Sequence, residues 1–199
     1  MTAVGAAGPR PSRDERRAQL LDAAGRLLVE RGLAGFTMEG LAAQAGVSKA
    51  LPYRHFSGAD DAVVALYRRE IGDLSDRLLT AARGARAGDP MVAAGVRAYF
   101  AAVAERGRLL AVLAGPGSAI PALAEGRRPA PHAGVLIVEE AYGVTGPVAA
   151  VLGAMVDGLA TAGAESIGRR LVTAGEAERL TTAAVLATVH AVLGAGEPG

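Results

Sequence analysis

Apolar residues recur at three- and four-residue intervals along most of the chain, which is the spacing of one face of an α-helix. No segment alternates apolar and polar residues as a half-buried strand does. Glycine, proline and helix-capping residues interrupt the pattern repeatedly. The predicted fold class is therefore all-α. Between the interruptions the spacing predicts about nine helices, at residues 13–31, 38–45, 48–55, 58–83, 90–105, 107–114, 132–142, 146–170 and 175–194.

Local signals frame the first of these helices. Ser12 and Glu15 have the spacing of a capping box, in which each side chain bonds the backbone amide of the other residue. Gly32 is expected to end the helix. Residues 1–11 are mostly small, include two prolines and show no periodicity, so we expect a disordered arm. Its Arg10 would either reach a DNA backbone or merely keep the arm soluble.

Residues 37–56 predict two short helices joined by a tight turn. Thr37 is the expected N-cap of the first helix. Gly46 supplies the positive φ that commonly ends a helix, and Val47 is expected to follow it as a buried plug. Helices joined by so short a turn cannot lie antiparallel, so they cross at a steep angle, as in helix-turn-helix units.

The second of these helices carries the residue types of a helix that reads DNA. Ser48 is expected to cap it, Lys49 stands at its start, and its end holds Tyr53, Arg54 and His55. That set suits a helix whose N-terminus enters a groove while its far end touches phosphates. Two alternatives remain open. Tyr53 would instead be a core residue, and His55 would simply be a favourable cation at the end of a helix.

Basic residues gather in the first part of the chain. Between residues 10 and 56, eight Lys and Arg stand against five Asp and Glu, an excess of three, whereas the whole chain carries a net charge of +1. A basic module on a nearly neutral body fits nucleic-acid binding. We therefore expect residues 12–58 to form a DNA-binding domain, with Phe36 and Phe56 in its core, and residues 59–199 to form a domain for ligand binding and dimerisation.

Composition excludes several kinds of site. The 199 residues contain no cysteine, so disulfides, thiolate metal sites and cysteine nucleophiles are absent. The chain also lacks a Gly-rich phosphate loop ending in Lys-Ser/Thr, a His/Glu zinc spacing and a serine elbow. We therefore expect neither an enzyme nor a bound metal or cofactor.

The apolar stretches of the chain favour a protein without a membrane segment. The sequence begins without the apolar segment typical of a signal peptide. Asp157 and His190 interrupt the two most apolar stretches, which are rich in Ala and Gly and therefore suit packed core helices better than membrane spans. We expect a cytoplasmic protein.

The last two predicted helices are apolar and rich in small residues on more than one side. A helix that is apolar all round must be buried all round, so one face is expected to pack within the subunit and the other against a second copy. The alternative is a monomeric core. Asp157 would be either a ligand anchor or a hydrogen-bonding group of the interface. The expected interface residues are Gly153, Asp157, Thr161, Ala184, Ala187, Thr188 and Ala191.

Several segments of the chain, in this order and spacing, resemble the N-terminal signature of TetR-family regulators. The resemblance covers about residues 12–66, and beyond them only the helical outline is similar. The segments are Leu21-Asp22-Ala23-Ala24, Leu27-Leu28, Glu30-Arg31-Gly32, Thr37-Met38, Leu41-Ala42, Ala45-Gly46-Val47-Ser48-Lys49 and Tyr53-Arg54-His55-Phe56.

The resemblance implies an all-helical homodimer whose two reading heads bind a palindromic operator in double-stranded DNA, usually as a repressor. Thr37 and Ser48 match positions that cap helices beside the DNA backbone. Lys49 and Leu51 match positions that face base edges. The residues at positions that contact phosphates are Tyr53, Arg54 and His55.

The resemblance also implies a small-molecule effector. It would enter a cavity among the helices between residues 58 and 170 and change the separation of the two heads, through a pendulum-like motion of the helix at 58–83. The scarcity of charged residues at apolar positions favours an apolar, multi-ring or acyl effector. The candidate ligand residues, each of which would otherwise be plain core or surface, are Tyr99, Phe100, His132, Glu139, Tyr142 and Met155.

Three residues depart from the family pattern. Leu51 and Pro52 stand where a small polar residue and an aliphatic residue are common, and Ala59 stands where a basic residue is common. Pro52 removes only the first intrahelical hydrogen bond, back to Ser48, so the helix is expected to survive. Leu51 cannot hydrogen-bond a base edge but can touch a thymine methyl. These departures leave open a weaker grip on DNA, or a helical module that binds a small molecule and no DNA.

Overall fold

The computed structural model describes residues 12–114, 120 and 133–194. Those residues contain helices and no strand, which confirms the all-α prediction. The predicted arm at residues 1–11 and the candidate ligand residue His132 lie outside the described residues. The helices are α1 (Arg13–Arg31), α2 (Met38–Ala45), α3 (Ala50–Tyr53), α4 (Ala59–Arg83), α5 (Asp89–Ala114), α6 (Ala133–Tyr142), α7 (Gly146–Gly168) and α8 (Ala174–Gly194).

The chain divides into two compact units, and the division falls inside α4. The N-terminal unit ends at Tyr67, and the C-terminal unit begins at Arg68. The sequence placed a boundary near residue 58, where α4 begins, and also indicated that this long helix belongs to both halves. The helix is continuous through the division. The assignment of DNA binding to residues 12–58 and of ligand binding to residues 59–199 stays a prediction.

The N-terminal unit is built from sequence-local signals and a small apolar core. Ser12 Oγ accepts from the Glu15 amide at 3.1 Å, and Glu15 Oε2 accepts from the Ser12 amide at 2.7 Å, so the predicted capping box is present. Gly32, at φ 67°, ends α1 as expected. The core of the unit comprises Leu20, Leu27, Leu28, Phe36, Met38, Leu41, Phe56, Val63 and Leu66.

Helix α5 is bent at Arg106, whose φ of −132° and ψ of 15° leave the helical region. The sequence predicted two helices, at 90–105 and 107–114, separated at this residue. The structure keeps both segments helical and joins them through the bend, so the position of the break was predicted and its nature, a kink rather than a loop, was not.

The C-terminal unit packs α6 against α7, and α7 and α5 against α8. Glycines allow the close approach of α6 and α7. A Cβ added to Gly153 would lie 2.6 Å from the Val135 amide nitrogen, and one added to Gly134 would lie 2.5 Å from Asp157 Oδ1. The core of the unit includes Leu78, Val92, Val96, Phe100, Ile137, Val138, Leu152, Val156, Val185 and Val189.

A matched pair of glycine substitutions tests this packing. Gly153→Ala should lower the free energy of unfolding by about 1–3 kcal/mol, because the new methyl group meets the backbone of α6. Gly72→Ala, at an exposed position of α4 with open space around it, should raise that free energy by about 0.5–1 kcal/mol. Urea unfolding followed by circular dichroism measures both, and equal stability of the two variants would contradict the close approach.

Candidate functional site

The turn between α2 and α3 forms largely as its sequence predicts. Thr37 Oγ1 accepts from the Gly40 amide at 3.0 Å, which makes Thr37 the N-cap of α2. Gly46 takes the left-handed conformation, with φ 66°, and its amide donates to the carbonyls that end α2. Val47 is half-buried, so the prediction of a buried plug was too strong.

The prediction that Ser48 caps α3 was wrong. The helix begins at Ala50, and its N-cap position is held by Lys49, whose backbone is already helical and whose side chain makes no capping bond. Ser48 contributes its carbonyl oxygen instead, which accepts from the Leu51 amide at 3.0 Å. Pro52 has no amide hydrogen, so it cannot donate the usual helical hydrogen bond to the Ser48 carbonyl. The Leu51 amide donates to that carbonyl instead, in the pattern of a 3₁₀-helix.

Helix α3 is consequently only four residues long, shorter than the predicted 48–55. Hydrogen bonds between residues three positions apart continue beyond the helix. The Arg54 amide donates to the Leu51 carbonyl, and the His55 amide donates to the Pro52 carbonyl. Pro52 is buried and Leu51 is half-buried. The side chains left exposed at the start of α3 are those of Ser48, Lys49 and Ala50.

The end of α3 separates an exposed tyrosine from a buried phenylalanine. Tyr53 is 52% exposed, which leaves its ring free for a phosphate contact rather than for the core, and its hydroxyl lies 3.5 Å from Glu39 Oε1. Phe56 is 2% exposed and belongs to the core, as expected. Arg54 is exposed.

Three arginines of α1 and Arg54 surround His55 with positive charge, and sequence reasoning missed the contribution of α1. Arg17 Nη1 donates to the His55 carbonyl at 2.8 Å, and its guanidinium carbon lies 4.5 Å from the centre of the Phe56 ring. Burial lowers the pKa of His55, and the positive charges of arginines lower it further. The interpretation of His55 as a helix-ending cation is therefore disfavoured in the free protein. These arginines, called the arginine cluster below, are Arg13, Arg16, Arg17 and Arg54.

Helix α4 begins at Ala59, which is half-buried and brings no positive charge to this surface. The Asp61 carboxylate accepts from the Ser57 amide at 2.9 Å, so an acidic side chain serves the amides that precede the helix. Ala59, which departs from the family pattern, thus stands two positions before the acidic Asp61 and adds no positive charge to the arginine cluster.

The described candidate ligand residues differ in burial and in their partners. Phe100 is buried in the core of the C-terminal unit. Tyr99 packs edge-on against it at 5.6 Å between ring centres. Burial raises the pKa of Tyr99, and the neighbouring Thr161 side chain lowers it in part. Glu139 is half-buried. Met155 is 44% exposed on α7, and its role as a ligand residue stays a prediction.

Tyr142 takes part in a polar cluster at the start of α5. Its hydroxyl donates to Asp89 Oδ1 at 2.7 Å, and His190 Nε2 lies 2.8 Å from the same oxygen. Burial raises the pKa of Tyr142 and the Asp89 contact raises it further, while the bonds from Tyr142 and His190 lower the pKa of Asp89. In residues 12–114, 120 and 133–194, no group of three His, Cys, Asp or Glu side chains has an arrangement that could hold a metal ion.

The expected dimer residues divide between the inside and the outside of the subunit. Gly153 is buried against α6, so its expected outward position was wrong. Asp157 and Thr161 are half-buried, and their place in a dimer interface stays a prediction. The reason is that α7 uses its smallest residues where it approaches α6. Ala184 and Thr188 are half-buried, while Ala187 and Ala191 are exposed.

An exposed apolar surface nevertheless runs along both helices. Helix α7 has a mean hydropathy of 1.4 over 18 residues, and only 28% of that window is buried. By length and composition alone this helix could span a membrane. One such helix is weak evidence for a membrane segment, because packed core helices have the same properties. This surface, called the apolar face below, comprises Val148, Val151, Ala154, Met155 and Gly158 of α7 and Leu180, Ala183, Ala187 and Ala191 of α8.

Comparison with known families places the helix-turn-helix. Residues 20–66 match the family of bacterial regulatory proteins named after tetR. The chain is 38% identical over 93 residues to the HTH-type transcriptional activator FasR of Mycolicibacterium smegmatis, a segment that is 47% of this chain and 42% of FasR. The chain therefore spans less than half the length of this curated relative.

Solved structures share the fold over most of the chain. A TetR-family transcriptional regulator from Streptomyces coelicolor superposes with a TM-score of 0.69 at 24% identity, over 91% of this chain and 84% of that one. The regulator FadR from Bacillus subtilis, solved in complex with stearoyl-CoA, superposes with a TM-score of 0.66 at 15% identity, over 86% and 96% of the two chains. At these identities the likeness establishes the fold alone.

The surroundings of His55 predict a pH dependence of stability. Because the pKa of His55 in the folded protein lies below its ordinary value of 6.5, the unfolded chain binds the proton more readily, and this group costs stability as the pH falls below about 6.5. NMR titration of the three histidines, assigned with His55→Gln, should give His55 a pKa below 6.5, and Arg16→Gln should raise it. A value above 6.5 in the parent protein would contradict this arrangement.

Proposed function

This chain carries a TetR-family helix-turn-helix domain, and we propose that the whole protein is a DNA-binding transcriptional regulator controlled by a small molecule. The observation that carries the proposal is the exposed Lys49 at the start of α3, with the arginine cluster beside the end of the same helix. Positive charge of this kind contacts phosphates and fixes a protein on DNA, while side chains at the N-terminus of the helix reach base edges.

The residues of α2, α3 and their flanks suit a division of roles. Lys49 and Leu51 would face base edges, Lys49 as a donor to guanine and Leu51 as an apolar contact to a thymine methyl. Tyr53, Arg54 and His55 would contact phosphates. Thr37 and Ser48 would lie beside the DNA backbone. Arg16 and Arg17 extend the phosphate-contacting set beyond the residues that the sequence alone suggested.

We propose repression as the direction of regulation. FasR is a transcriptional activator, so the direction of regulation by this protein must be measured and cannot be taken from that relative. A reporter gene with the selected operator between promoter and start codon should be silenced by the protein. Increased expression would indicate an activator.

Substitutions in and beside α3 test DNA binding. Lys49→Ala should cost about 1–3 kcal/mol of binding free energy to an operator selected from random DNA, and should relax its sequence preference. Arg54→Ala should weaken binding similarly on all sequences and lower the dependence on salt by about one counterion. Fluorescence anisotropy measures both, with Arg86→Ala, an exposed arginine of the C-terminal unit, as the control.

Two outcomes would change the proposal. Equal affinity of Lys49→Ala and the parent protein would overturn the base-facing assignment of Lys49. A parent protein that enriches no sequence at low salt would favour the alternative function, a helical module that binds a small molecule and no DNA.

The apolar face supports a homodimer. Large side chains such as Val151 and Leu180 are more than half exposed on it. Exposed apolar patches of this kind are typical of interfaces between chains. A dimer would also supply two reading heads for a two-fold symmetric operator, because one head of this size reads few base pairs. The proposed interface keeps Asp157, Thr161, Ala184, Ala187, Thr188 and Ala191 and adds Val148, Val151, Ala154 and Met155.

A pair of exposed alanines tests the dimer. Ala154→Glu places a charge on the apolar face and should convert a dimer to a monomer at about 1 μM protein, because a buried unpaired carboxylate is costly. Ala101→Glu, on an exposed position of α5 outside that face, should remain dimeric. Sedimentation equilibrium measures both masses. A dimer in both variants would place the interface elsewhere.

An apolar, acyl-type effector is the ligand that we propose, bound in the cytoplasm among the helices of the C-terminal unit. The unit has an apolar core, and the structurally similar FadR binds stearoyl-CoA. The proposed ligand residues are Tyr99, Phe100, His132, Glu139, Tyr142 and Met155. The hydroxyl of Tyr142 already donates to Asp89, so Tyr142 would exchange this partner on ligand binding.

A further inference from the structure

Glu70 in α4 is a buried charge. Its side chain is 1% exposed, and among the residues that the structure describes it is the only charged residue in the buried class. Arg69 Nη2 lies 2.9 Å from Oε1, and Arg106 Nη1 lies 2.7 Å from Oε2. Each carboxylate oxygen therefore accepts a charge-assisted hydrogen bond, which is the condition for burying such a group.

The bond to Arg106 joins two helices at an unusual place. Arg106 is the residue at which α5 leaves the helical conformation, and the helix resumes through Gly107 to Ala114. The ion pair thus links α4 to the bend of α5 and not to a regular turn of the helix. A sharp kink requires a local cause, and no proline lies within α5 near this residue.

Stability alone gives little reason for this pair. A buried ion pair is often no more stabilising than apolar residues of similar volume, although loss of one partner is costly. Arg106 is 38% exposed on its side chain, and a shallow cleft between α4 and α5 borders it. Water can therefore solvate the Arg106 guanidinium if the pair opens.

We propose that the Glu70–Arg106 ion pair is a latch that holds the bend of α5 against α4, and that its opening changes the affinity of the protein for DNA. The second part rests on the proposed function. When the latch opens, Arg106 is free to adopt helical backbone angles, and residues 107–114 change direction. Helix α4 is continuous from Ala59 to Arg83, so the same α-helix that carries Glu70 also leads into the N-terminal unit.

Hydrogen exchange tests the latch without DNA. Glu70→Gln and Arg106→Gln should each accelerate amide exchange at residues 107–114 by about tenfold or more, since local opening becomes easier. Arg106→Lys, which keeps one charged donor, should restore part of the protection. The matched control is Arg77→Gln, which removes an exposed pair on the same two helices, Arg77 Nη1 to Glu105 Oε2 at 2.7 Å. It should leave exchange within about twofold of the parent.

Thermal unfolding and exchange in α6 to α8 show whether each variant remains folded. A Glu70→Gln/Arg106→Gln double variant pairs two neutral amides and replaces any single variant that fails to fold. Equal exchange at residues 107–114 in the Glu70→Gln and Arg77→Gln variants would overturn the latch. If the ion pair had a purely structural role, its loss would change amide exchange over the whole C-terminal unit and not selectively at residues 107–114.

Operator affinity then tests the regulatory part. Glu70→Gln should change the dissociation constant of the selected operator by about fivefold or more, although Glu70 is outside the helix-turn-helix, and Arg77→Gln should not. Altered exchange with unchanged operator affinity would overturn regulation by the latch. A parent protein that binds no DNA would refute the proposed function, and exchange would still decide whether the latch exists.

Discussion

The position of Phe56 beneath Arg17 is the interaction on which the reading surface depends. The phenyl ring is buried in the N-terminal core, the guanidinium lies over it, and the same guanidinium holds the His55 carbonyl. A cation above an aromatic face is stabilised by the ring, and the flanking hydrogen bond fixes its direction. This contact ties the chain after α3 to α1, and it brings the positive charge of α1 next to the end of the short helix.

Signals that act within one turn of helix were readable from the sequence, and signals that act between helices were not. The capping box at Ser12, the cap at Thr37 and the turn at Gly46 each involve groups three or four residues apart, so the residue types alone specify them. Ser48 failed as a cap because Lys49 was already helical and Pro52 removed the bond that would have defined the first turn. The arginines around His55 come from another helix, and only the basic run at 13–17 could have indicated them.

The same limit applies to the C-terminal unit. Small residues in α7 predicted close packing correctly but did not say against which neighbour, and the structure uses Gly153 for α6 inside the subunit. The outward face is formed by larger residues such as Val151 and Met155. Glu70 gave no sequence signal at all, because a glutamate in an amphipathic helix is ordinarily exposed and its burial depends on a guanidinium 36 positions further along the chain.

The brevity of α3 has an evolutionary consequence. A helix of four residues has almost no stability of its own, since the cost of its first turn is not repaid by propagation. Its conformation is instead held by buried neighbours, Pro52 and Phe56. The exposed side chains of Lys49, Ala50 and Tyr53 are therefore not required for the fold. Under the proposed function, selection can change the recognised DNA sequence one exposed side chain at a time, without compensating changes in the core.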